Sequence, residues 1–130
     1  MSRAVMMVLG LGLLQCACRA APVRVACIPL EVQTYAAVSP EDVVRDARVK
    51  FRVPAGSDEG RQLRSIHDGA APGKFRRMVA RVRVDLSDRE VFWVDTQGGV
   101  LDATGEKQLS LAALDALKAI VERHGCVAEP

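Results

Sequence analysis

The sequence predicts an α+β domain, in which an antiparallel sheet of four to five strands carries a C-terminal helix on one face and a short helix lies near the N-terminal third. Apolar and polar residues alternate at residues 23–28, 48–53, 77–86 and 90–95, the period of a half-buried strand. One stretch near the end, residues 110–124, carries its apolar side chains at a helical period instead. The turns between residues 86 and 100 are short, which makes the later strands an antiparallel meander.

Residues 1–20 read as a secretory signal peptide, leaving 21–130 as one small domain. Arg3 supplies the basic start, Ala4–Leu14 is an unbroken apolar run of eleven residues, and Gln15–Ala20 ends in small residues suited to cleavage. That run is shorter than the ~20 residues a helix needs to span a bilayer. A second reading stays open. Leu13-Leu14-Gln15-Cys16 resembles the lipobox of bacterial lipoproteins, although Gln15 stands where that family has Gly, Ala or Ser. Lipidation at Cys16 or Cys18 would make the chain a membrane-anchored structural lipoprotein.

The first strand places Val23, Val25 and Cys27 on one face and Arg24 and Ala26 on the other, and Leu30–Tyr35 is expected to continue as a second extended piece. Ser39-Pro40-Glu41-Asp42 is a helix start, with a capping hydroxyl, proline in the first turn and acids behind it. Val49, Phe51 and Val53 then alternate with Arg48, Lys50 and Arg52. Residues 54–74, rich in Gly, Pro and Ser, read as the longest irregular connection, with room for one helical turn near Glu59–Ile66. In the next strand Met78, Ala80, Val82, Val84 and Leu86 point one way, and Arg77, Val79, Arg81, Arg83 and Asp85 the other. Glu90–Asp95 returns, and Gln97-Gly98-Gly99 turns the chain into Val100–Asp102. Ser110 caps the last helix, whose apolar stripe is Leu111, Leu114, Leu117, Ile120 and Val121; Gly125 ends it.

After cleavage two cysteines remain, Cys27 in the first strand and Cys126 beyond the last helix, and an oxidising compartment would join them as a disulfide, the alternative being two separate buried thiols that act as small hydrophobes. The formal net charge is +2, but residues 45–83 hold eleven basic and four acidic side chains, whereas residues 84–130 hold four and nine. If the two Arg-bearing strands share a sheet face, Arg48, Lys50, Arg52, Arg77, Arg81 and Arg83 make a basic patch, with Trp93 as an aromatic contact beside it. The bland alternative is a solvated face neutralised by Asp85, Glu90 and Asp95. Nucleic acid is not expected as the partner of an exported chain in which only Phe51 and Phe75 interleave rings with the basic run.

No catalytic, cofactor or metal motif stands out. His124-Gly125-Cys126 supplies too few ligands for zinc. Asp95 and Asp102 flank the Gly98-Gly99 turn and read as the borders of a hairpin rather than as a glycosidase pair, and Ser65, His67 and Asp68 offer a nucleophile, a base and an acid without a supporting motif. Val91–Val121 is loosely similar to the TonB C-terminal domain family but lacks its final strand and aromatic-proline end, and Val94–Gly98 resembles hairpins of the PepSY family; neither likeness carries a site to this chain. The expected function is therefore non-enzymatic, a periplasmic or secreted binding or accessory domain for an anionic envelope partner. The alternative is a small envelope hydrolase or hydrolase inhibitor built on Ser65, His67 and Asp68.

Overall fold

The computed structural model describes residues 21–31 and 37–128. The leader, with Cys16 and Cys18, and most of the extension expected over residues 30–35 lie outside them. The fold is α+β, as the sequence predicts, but the sheet has seven strands rather than four or five. They are β1 (Val23–Cys27), β2 (Val49–Val53), β3 (Ala71–Pro72), β4 (Ala80–Asp85), β5 (Val91–Asp95), β6 (Gly99–Asp102) and β7 (Gly105–Gln108). Their order across the sheet is β2-β1-β4-β5-β6-β7-β3, with every pairing antiparallel. Among the described residues three helices accompany them: α1 (Val43–Asp46), entered through a 3-10 turn at Pro40–Asp42, α2 (Asp58–Asp68) and α3 (Leu111–Arg123).

Both extra strands lie where periodicity is silent. β7 reads Gly-Glu-Lys-Gln and β3 is two residues long, so neither has an apolar alternation to reveal it. What makes β7 is the turn before it. The Asp102 carboxylate accepts hydrogen bonds from the amides of Thr104 and Gly105 and from the Thr104 hydroxyl, folding the chain back on itself.

One sheet face holds the main core. Val23, Val25 and Cys27 of β1, Val82 and Val84 of β4, Phe92 and Val94 of β5 and Val100 of β6 pack beneath Leu63 and Ile66 of α2 and Leu114, Leu117, Ile120 and Val121 of α3. Leu111, expected on the α3 stripe, is instead 82% exposed. At 100° per residue it lies about 110° from the mean direction of the four buried side chains, too far round to reach the sheet. The segment read as irregular is largely α2. Ser57 caps it by accepting from the Gly60 amide, and acids fill its first turn.

The disulfide between Cys27 and Cys126 forms as expected, with a Cα–Cα distance of 6.3 Å. It joins the end of β1 to the tail beyond α3, and both cysteines are buried. The opposite face is only half covered. The Pro40–Asp42 turn and α1 lie over β1 and β4, burying Ala26, Ile28, Val38, Val43, Phe75 and Ala80, with Trp93 and Leu101 packed against them.

One irregularity sets which side chains reach that face. Ala80 pairs with Asp95 and Val82 with Val94, so Arg81 is an extra residue, a β-bulge. The alternation expected along residues 77–86 is interrupted there: Val82, Val84 and Leu86 face the main core, whereas Ala80 packs on the other side.

Candidate functional site

The open part of the second face is a groove of about 480 Å³ at the β2 side of the sheet. Arg24, Lys50, Arg52, Arg83 and Asp85 line it, with Ala26 and Val44 among its apolar contacts. Strand pairing brings these side chains together. Arg24 stands opposite Arg52 on one side and Asp85 on the other, and the next row runs from Lys50 through Ala26 and Arg83 to Trp93. All project from the same face because they are spaced by two along their strands.

Charge is unbalanced in this groove. Arg83 is held by Asp85 through Nε at 2.8 Å and lies 5.4 Å from the Trp93 ring centroid, a cation–π position. Arg24, Lys50 and Arg52 form no ion pair among the described residues. The other two acids expected to neutralise the face are engaged elsewhere, Glu90 with Arg64 and Asp95 inside the protein. Like charges directly opposite across a strand pair are destabilising, so the Arg24–Arg52 juxtaposition carries a cost of up to about 1 kcal/mol. Replacement of Arg52 by Thr, a good strand former, is expected to raise the urea midpoint by a few tenths to about 1 kcal/mol equivalent. An unchanged or lower midpoint would show that the two guanidiniums do not oppose one another.

Not every residue predicted for the patch belongs to it. Lys50, Arg52 and Arg83 meet in the groove, whereas Arg48 is exposed in the bend just before β2 and does not line it. Arg77 lies in the turn before β4 and pairs with Glu41 at 3.0 Å. Arg81 is 2% exposed at the bulge, where its Nη1 donates to the Ala80 carbonyl and burial lowers its pKa. Trp93 is half-buried, its indole N–H donating to the Pro40 carbonyl at 3.1 Å, so it is a platform under Arg83 rather than an open contact. Arg24 and Val44 were missed. Arg24 was visible on the polar face of the first strand, but nothing in the sequence shows that β1 runs between β2 and β4.

The residues of the alternative hydrolase reading do not meet as nucleophile and base. His67 Nε2 lies 2.8 Å from Asp102 Oδ2, and Nδ1 lies 3.1 Å from Asp68 Oδ1. Both ring nitrogens are thus engaged by carboxylates, while Ser65 lines a separate surface groove with Asp58, Arg61, Gln62 and Ala113. His124 is stacked on Phe51 with ring centroids 3.9 Å apart and bonds Glu59, while Cys126 is spent on the disulfide. Asp95 accepts three backbone amides, those of Arg76, Gln97 and Gly99, and so is a structural anchor rather than half of a carboxylate pair.

Asp102 gives the acid limb of stability. Burial alone would raise its pKa, but hydrogen bonds from Lys107, Thr104 and His67 outweigh it and hold the carboxyl far below the usual range. A depressed carboxylate stabilises the fold above its unfolded pKa, about 3.9, and that contribution is lost as pH falls through the folded value. Asp102→Asn is therefore expected to weaken the protein at pH 7 and to narrow its deficit at pH 3. Parallel urea midpoints for variant and wild type across that window would contradict it.

No protein-family model, curated protein or solved structure matches this chain, so function has to be argued from the groove itself. Among the described residues no helix is long and apolar enough to cross a membrane.

Proposed function

We propose that this protein is an exported, non-enzymatic binding domain that takes an anionic ligand in the groove of Arg24, Lys50, Arg52 and Arg83. The observation that carries the reading is Arg24 facing Arg52 across a strand pair, with neither guanidinium in an ion pair among the described residues and Asp85, the acid opposite Arg24, engaged by Arg83. A bound anion would turn that repulsion into a shared attraction, because guanidiniums on adjacent strands suit bridging contacts to carboxylate, phosphate or sulfate oxygens. Arg83 is positioned in advance by Asp85 and the Trp93 ring, so ordering it costs little on binding.

Export is supported by two features: the signal-like residues 1–20 and a buried disulfide of the sort that persists in oxidising compartments. The periplasm or the exterior is where such a domain would meet an anionic envelope component.

Calorimetric titration with inorganic tripolyphosphate at low ionic strength tests the groove. Binding is expected to weaken as salt rises, and Arg24→Ala and Arg52→Ala are each expected to lose about tenfold, the equivalent of one charge-assisted contact. Arg77→Ala, remote and already paired, serves as the control. Equal losses for Arg77→Ala and the groove variants would reduce the effect to net charge and overturn the reading.

A further inference from the structure

β2 is the last strand on its side of the sheet among the described residues, and the groove runs beside it. In an antiparallel ladder every second residue turns its N–H and C=O toward one neighbour. Half of the backbone groups along Val49–Val53 therefore point away from β1, toward a side on which no described strand pairs. The two faces of this edge differ in chemistry. Lys50 and Arg52 project into the groove, whereas Val49 and Phe51 lie on the helix side, only partly buried against the main core. His124 stacks on Phe51 and leaves it half-buried.

We propose, resting on the anionic reading of the groove, that its ligand is an extended acidic peptide segment of a partner protein, added to β2 as an eighth strand. An incoming strand places residues i and i+2 on one face, so two acids at that spacing would lie beside Lys50 and Arg52, within the ~5 Å of cross-strand neighbours. The residues between them fall on the helix side, where apolar side chains would complete the cover of Val49 and Phe51. Backbone hydrogen bonds supply affinity in this mode, and the alternating side chains supply selectivity. A second copy of this chain does not fit the edge. Two-fold pairing of β2 with itself would bring the Arg48, Lys50 and Arg52 sets of two copies together, the arrangement by which basic side chains block edge-to-edge association. A free small anion would fill the groove but leave the edge groups and the flank of Phe51 uncovered.

The test uses the oxidised, natively processed protein and a short blocked peptide alternating valine and aspartate. A peptide of the same composition with its aspartates in one block, and the alternating peptide N-methylated at every second amide, are the comparisons. Binding is followed by nuclear magnetic resonance, together with the hydrogen exchange of the Val49–Val53 amides. The alternating peptide is expected to bind about tenfold or more tighter than either comparison and to slow exchange at alternate β2 amides. If all three peptides bind alike and shift the Arg24 and Arg52 signals, strand addition is overturned while the anionic groove stands. If neither the peptides nor tripolyphosphate shift those signals, both readings are overturned. Self-association of the protein that the alternating peptide does not disperse would also overturn strand addition, because the edge would then belong to a second copy.

Discussion

Asp95→Ala is expected to leave the protein without a cooperative unfolding transition near room temperature. The Asp95 side chain is fully buried at the end of β5, and its two oxygens accept from the amides of Arg76, Gln97 and Gly99, each at 2.8 Å. Those bonds tie the segment leading into β4 to the β5–β6 hairpin. Gly99 is the only residue type that fits beside the carboxylate, because a Cβ there would collide with Asp95 and the Lys74 carbonyl. Truncation strands three amide donors in half-buried or buried positions and opens a cavity. At about 1–3 kcal/mol for each donor left without a partner, the loss is on the order of 5 kcal/mol, comparable with the whole stability of a small domain. Asp95→Asn keeps the shape but offers one acceptor oxygen and sets an NH2 against a donor, so it should cost less, about 2–3 kcal/mol. Urea denaturation of the two variants checks the order. A value below about 1 kcal/mol for Asp95→Ala would mean that water or the backbone replaces the carboxylate.

Loss of the disulfide is expected to have the next largest effect. Cys27 and Cys126 are 99 residues apart in sequence, so the bond removes a large share of the freedom of the unfolded chain. The chain-entropy limit for such a loop is about 4.7 kcal/mol, and measured values for native bonds are commonly 2–4 kcal/mol. For a domain of this size that corresponds to a fall in Tm on the order of 10–20 °C. The Cys27→Ala/Cys126→Ala double variant should show it in scanning calorimetry. Both sulfurs are buried, so a thiol reductant should act on the native protein only as fast as the β1–α3 contact opens. Rapid reduction in the absence of denaturant, with no change in Tm, would contradict both statements.

What could be read from the sequence was what one element encodes by itself. The α3 stripe, the Ser110 cap, the glycine end at Gly125 and the placing of Cys27 and Cys126 at opposite ends of one domain are local signals, and each corresponds to a feature of the fold. α2 was legible in part. Ser57, Asp58 and Glu59 announce a helix start, but only Leu63 and Ile66 mark its buried face, and Gly60, Gly69 and Pro72 around them suggested a loop. The bulge at Arg81 could not be seen, because an inserted residue leaves the alternation on each side intact while exchanging the faces. Alternation alone therefore places Arg81 in the exposed patch, and the bulge removes it. The groove itself depends on strand order. The basic faces of residues 48–52 and 81–83 looked like neighbours in one patch, yet β1 lies between their strands and contributes Arg24, the residue whose opposition to Arg52 gives the site its character.

The account depends most on those cations acting together on a bound anion. Nuclear magnetic resonance of the arginine Nε–Hε groups, followed through a titration with inorganic tripolyphosphate at low salt, tests this most directly. The expected result is saturable shifts at Arg24, Arg52 and Arg83 with one common dissociation constant, while Arg77 and Arg64, held by Glu41 and Glu90, stay in place. Shifts of similar size at all five arginines, or none at Arg24 and Arg52 at saturating tripolyphosphate, would contradict the groove as the binding site.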